Sequence, residues 1–141
     1  MIIISETFEE ASNEYKSAID IKSSILNSHS RQLAEGHFKL AISLELQPDN
    51  VKRPDALNHV TLAKSVLLGR LEDLNKRIDS NKETKISNDE NQHPILFKEN
   101  VETLSIDDAK KEVKDINELI EDLNLKVSFF LFIDYYFLTW F

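Results

Sequence analysis

The sequence predicts an all-α protein. Apolar residues recur at spacings of three and four along most of the chain, which is the period of a helix face. The 141 residues include only two glycines and three prolines, too few turn formers for a protein built of many short strands. Almost no stretch alternates apolar and polar residues as a half-buried strand would.

Four helices follow in order. The first is expected from Thr7, where Thr7 and Glu10 form a capping-box pattern, with Phe8, Ala11, Tyr15, Ala18, Ile19, Ile25 and Leu26 along its apolar face. Asn27-Ser28-His29-Ser30 breaks it. The second helix runs over about 31–46, with Leu33, Ala34, Phe38, Ala41 and Ile42 on one broad face, widened by Leu40 and Leu44. Apolar residues on more than one face predict contact with two neighbours. After the break at Pro48-Asp49-Asn50, a third helix is expected over about 54–78, since proline fits a first helical turn. It carries Leu57, Val60, Ala63, Val66, Leu67, Leu71, Leu74 and Ile78.

Residues 79–104 read as a polar linker, with Ile86 the one aliphatic residue before Pro94 and a small apolar knot at Ile95-Leu96-Phe97. The fourth helix is expected over 105–127 behind the cap pattern of Ser105 and Asp108. Its residues Ile106, Ala109, Val113, Ile116, Ile120, Leu123 and Val127 alternate steps of three and four, a coiled-coil seam of three heptads. That seam serves equally for an antiparallel pair with the third helix or for dimerisation, so the oligomeric state stays open.

The last residues, 128–141, depart from this pattern. They are almost wholly apolar and aromatic around Asp134. As a helix the tail spans about 22 Å against roughly 30 Å of hydrocarbon, and Asp134 adds a cost, so a membrane anchor is not expected. The alternatives are a buried last element and translated intron sequence. The last is the expectation adopted, because Val127-Ser128 is what a GTAAGT donor encodes when read through and AT-rich introns encode such residues.

Composition excludes several functions. With no cysteine there is no disulfide framework, thiolate zinc site or cysteine nucleophile. Two glycines cannot build a phosphate-cradling loop. The net charge of -8 opposes nucleic acid and anionic membranes and favours a basic protein partner. Only Asp134 is charged after Lys126, so residues 1–126 hold -8 minus -1, or -7. His29, His37, His59 and His93 are scattered, with no pair four apart on one helix and no carboxylate cluster beside them, so no metal site and no catalytic histidine are expected. No nucleophile motif places a Ser-His-Asp triad, and neither enzyme activity nor a cofactor is expected. Glu9, Glu10 and Glu14 read as a solvated helix face.

A weak internal repeat joins Ala11, Tyr15 and Ala18 to Ala56, Val60 and Ala63, 45 positions on. Small, large and small residues at these offsets let helices approach closely. Tetratricopeptide (TPR) repeats use that pattern, with a 34-residue period.

Two motifs between Ser30 and Leu74 resemble the interrupted-TPR module of the NASP (nuclear autoantigenic sperm protein) family of histone chaperones. The stretch Leu33-Ala34-Glu35-Gly36-His37-Phe38-Lys39-Leu40-Ala41 is similar to that family's helix reading Leu-Ala-Glu-x-His-Tyr-x-Leu-Gly. Asp55-Ala56-Leu57, followed by Val60, Val66, Arg70 and Leu74, is similar to its long second helix. Phe8-Glu9-Glu10-Ala11 with Tyr15 resembles the end of a preceding repeat, and Lys111 to Leu123 the charged helix that follows the repeats. The chain departs from the family at Phe38, where the tyrosine hydroxyl is lost, at Ala41 in place of glycine, and at Val60 in place of phenylalanine.

The resemblance implies a TPR-like region over 5–78, expected to be a partial copy of the family's array, followed by a charged helix. It implies a nuclear protein, shuttling with the cytoplasm, that binds the histone three–four dimer or its centromeric variant in nucleosome assembly. In fungi it also implies company with a type B histone acetyltransferase complex. By the same resemblance Glu35, Phe38 and Ile42 become the partner-binding residues. Glu35 would pair with a histone Arg or Lys while the Phe38 ring packs on that residue's stem. The competing expectation is a TPR and coiled-coil adaptor that recruits a nonhistone protein.

Overall fold

The computed structural model describes residues 2–47, 52–80 and 100–140, with side chains described for 7–47, 52–80 and 100–133. Among the described residues the protein is all-α: four helices, one 3₁₀ turn and no strand. Helix α1 spans Ile2–Ile25, α2 Arg31–Glu45, α3 Arg53–Ser80 and α4 Ile106–Trp140, with the 3₁₀ turn at Val101–Thr103.

Helix starts and stops follow local hydrogen bonding. Helix α1 begins at Ile2, so Thr7 and Glu10 lie inside it and not at its start. The apolar residues ahead of Thr7 extend the helix, and a capping pattern marks a start only where the upstream chain leaves the helix. The α1–α2 turn is tied by Asn27, whose Oδ1 accepts from the His29 amide at 2.9 Å. Ser30, fully buried, caps α2 by accepting from the Gln32 amide at 3.2 Å. Ser105 Oγ does the same for α4, accepting from the Asp108 amide at 3.1 Å.

Sequence neighbours pack side by side, α1 on α2, α2 on α3 and α3 on α4. Each pair is antiparallel. Ser12 meets Ser43 across α1 and α2, and Arg70 and Arg77 of α3 meet Glu112 and Leu104 around the start of α4. Helices α2 and α4 run in the same direction: Arg31 approaches Glu112 and Glu45 approaches Lys126. Gly36 permits the close approach of α1 and α2, because a Cβ there would lie 3.2 Å from Ile19 Cγ1.

The core runs along α3. Ala56, Val60, Ala63, Leu67, Leu74 and their neighbours at Arg70 and Arg77 are all buried, at alternating steps of four and three. On α4 the buried residues are Ala109, Ile116, Leu123 and Phe130, seven apart, with Val113, Ile120 and Val127 partly buried between them. The seam of α4 is therefore spent inside the chain. Each fully buried Leu, Ile or Phe in this core contributes about 1.5–3 kcal/mol of transfer free energy.

Beyond the start of α1, two further regions differ from the sequence expectation. Helix α4 does not stop near Val127 but runs on to Trp140, and Phe130, only 1% exposed, adds the next step of three to the seam. The run Phe129-Phe130-Leu131-Phe132-Ile133 hid that step, since a fully apolar stretch shows no periodicity. The linker is shorter than expected, because Asp79 and Ser80 belong to α3 while Val101 and Leu104 pack against the core. Ile86 and the Ile95-Leu96-Phe97 knot lie outside the described residues. No helix among the described residues is long and apolar enough to cross a membrane.

Candidate functional site

The outward face of α2 carries the three residues picked out by the resemblance. Burial fixes its orientation: Leu33, Ala34, Leu40, Ala41 and Leu44 are buried on one side, whereas Glu35, Phe38 and Ile42, related to one another by steps of three, four and seven, share the opposite side. Glu35 is exposed, Phe38 and Ile42 are half-buried, and Phe38 leans on the core cluster. Glu35 and Ile42, seven apart, lie nearly in line along the helix.

Glu35 already has a partner. Lys39, one turn on, donates to its Oε1 at 2.9 Å, with 60% of the Glu35 side chain and 52% of the Lys39 side chain exposed. That hydrogen bond holds the Glu35 carboxyl below its ordinary range and raises Lys39. An exposed pair of this kind is weakly held, so a stronger cation can displace Lys39.

Beside Ile42, α1 and α2 frame an open, mostly apolar cavity of about 270 Å³, lined by Phe8, Ala11, Tyr15, Lys39, Ile42, Ser43 and Leu46. Ala11 and Tyr15 belong to the small-large-small stripe of α1 and are only half-buried. The matching residues of α3, Ala56, Val60 and Ala63, are fully covered. The stripe on α1 thus remains open where its counterpart is closed. Lys39, Tyr15 and Leu46 (the last 52% exposed) were not among the residues expected at the site. The i to i+4 spacing of Glu35 and Lys39 was the available signal for the lysine.

Four further polar contacts tie the elements together. Arg70 makes a two-point contact with Glu112, and Arg77 donates from Nε to the Leu104 carbonyl at 3.2 Å. His29 Nδ1 pairs with Asp73 Oδ2 at 2.7 Å. His37 and His59 meet with their Nδ1 atoms 3.0 Å apart. No local spacing announces either histidine contact, because each joins residues far apart in sequence. Among the described residues no group of three or more His, Asp or Glu side chains is arranged to hold a metal ion.

No family model, curated protein or solved structure matches this chain. The resemblance therefore stands on the residues that carry it, and the α2 face has to be judged by its own chemistry. It offers one carboxylate with an easily displaced partner, a half-buried aromatic ring and an apolar recess. Such a surface can bind; its residues include no activated nucleophile.

Proposed function

We propose that this chain is a histone-binding chaperone module of the interrupted-TPR kind, acting in histone transport and nucleosome assembly in the nucleus. The observation that carries the reading is the α2 face itself, with Glu35 exposed one turn before the partly covered Phe38 and two turns before the partly covered Ile42. A histone arginine or lysine would displace Lys39 from Glu35 while its stem rests on the Phe38 ring. The acidic balance of the chain, -7 over residues 1–126, would attract the basic partner and screen its charge. The mechanism is binding without chemistry: masking a basic, partly apolar segment keeps it from nonspecific DNA contact until deposition. The cargo implied is the histone three–four dimer, and a type B histone acetyltransferase complex is the implied companion.

The deciding experiment measures binding of the purified chain to the histone three–four dimer beside an equally basic unrelated protein, over a range of salt. Preference for the histone dimer, lost in a Glu35→Ala, Phe38→Ala double variant that remains helical, is the expected outcome. Equal binding of both proteins reduces the interaction to charge alone. Normal binding by the double variant removes the site.

A further inference from the structure

His37 on α2 and His59 on α3 form a pair that the α2 face does not use. Their Nδ1 atoms are 3.0 Å apart, their ring centroids 5.2 Å apart, and their planes inclined by 22°. The centroid separation exceeds the nitrogen separation by nearly two ring radii. The nitrogens therefore lie close to the line joining the rings and face each other. A hydrogen fits between them, whereas a metal ion would need two bonds of about 2.0–2.1 Å and would hold such head-on nitrogens about 4 Å apart.

The proton count of this pair decides its geometry. When both rings are neutral, one donates an N–H and the other accepts it through complementary tautomers. With one added proton, an imidazolium donates to an imidazole and the contact survives. With two, both nitrogens carry hydrogen, no acceptor remains, and two cations face each other in a half-buried site.

The charged groups around the pair come from three helices. Asp55, one turn before His59 on α3, favours charge on that ring, while Lys16 of α1 opposes it. His59 itself opposes charge on His37. Neither ring has a hydrogen-bonded carboxylate among the described residues, in contrast to His29 with Asp73. Burial is the leading influence on both rings and holds both below the ordinary value of 6.5.

We propose that His37 and His59 form a one-proton latch between α2 and α3, closed while the pair holds at most one added proton and forced open when both rings are charged. Because both rings titrate lower in the folded chain than in the unfolded one, the unfolded chain binds more protons as the medium acidifies. The latch therefore gives its full stabilisation above pH 6.5 and loses it as pH falls through the lowered folded values. It operates whatever the outward face of α2 binds.

The test is an NMR titration of the histidine rings in the full chain, paired with urea denaturation from about pH 7 to about pH 5. His29 and His93 are assigned by their own single substitutions. The expected result is two coupled steps for His37 and His59, both with midpoints below 6.5, and a denaturation midpoint that falls with pH. A His37→Gln, His59→Gln double variant, which still hydrogen-bonds but does not titrate, should lose most of that fall. Independent titration of the two rings at the ordinary histidine value overturns the latch, as does an unchanged pH dependence in the folded double variant. The titration does not use the double variant, so it decides the matter even if that variant does not fold.

Discussion

Arg70 of α3 and Glu112 of α4 clasp each other at two points, Nε to Oε1 at 2.9 Å and Nη2 to Oε2 at 3.2 Å, with 4% and 12% of their side chains exposed. The pair occupies a position in the α3 seam where Ala63, Leu67 and Leu74 stand nearby, so the fold has placed a charge where it would otherwise place an aliphatic residue. Glu112→Ala takes both of these contacts from the buried guanidinium and should cost about 3 kcal/mol by urea denaturation, the low end of the range for breaking a buried pair from one side. An Arg70→Met, Glu112→Leu double variant should lose much less than the single. A double variant as unstable as Glu112→Ala would show that the clasp does more than satisfy its own charges.

Gly69 lies directly under the His29 ring. A Cβ there would fall 2.4 Å from His29 Cδ2, so the ring must swing away and give up its 2.7 Å contact with Asp73. Replacing a glycine inside a helix by alanine ordinarily gains up to about 1 kcal/mol. Gly69→Ala should gain nothing in the native chain, because the displaced His29 contact offsets the propensity. In a His29→Ala background the same substitution should stabilise by about 1 kcal/mol. Thermal denaturation of the four proteins in the cycle measures the coupling, and equal effects in both backgrounds would refute the clash.

The helices were legible in the sequence because their apolar residues repeat at three and four, and Ser105 marked one of the starts. Two features were hidden for definite reasons. The α3 seam passes through Arg70 and Arg77, which a hydrophobicity pattern scores as surface, and the end of the α4 seam sits in an unbroken apolar run. At the site, the pairing of Glu35 with Lys39 was readable from spacing. The cavity formed with Phe8 and Tyr15 was not, because it depends on which face of α1 meets α2, and Gly36 sets that approach through Ile19.

Phe130 tests whether the end of α4 belongs to the fold. It is 1% exposed, and Lys126 lies over its ring, 5.6 Å from the centroid, while also bridging to Glu45 at 2.7 Å. Phe130→Ala should cost about 3–5 kcal/mol, the range for emptying a buried aromatic site. Phe129→Ala, at a position 53% exposed, should cost less than about 1 kcal/mol. Equal, small losses for both in urea denaturation would mean that the helix beyond Val127 is not packed as described.

Lys39 is the natural competitor for any cation that approaches Glu35, and this gives the α2 face a signature that a merely acidic surface lacks. Lys39→Met keeps much of the side chain's apolar stem in the cavity wall while freeing the carboxylate. With its hydrogen-bond donor gone, the Glu35 carboxyl should move back toward its ordinary range, the direction opposite to the shift that Lys39 now imposes. Binding of a basic partner should then tighten about two- to fivefold at low salt, the range set by an exposed ion pair, and the gain should shrink as salt screens the site. Glu35→Gln should weaken binding and abolish the effect of Lys39→Met when the two are combined. A Lys39→Met gain that persists without the Glu35 carboxylate would mean that the partner senses overall charge and does not engage this pair.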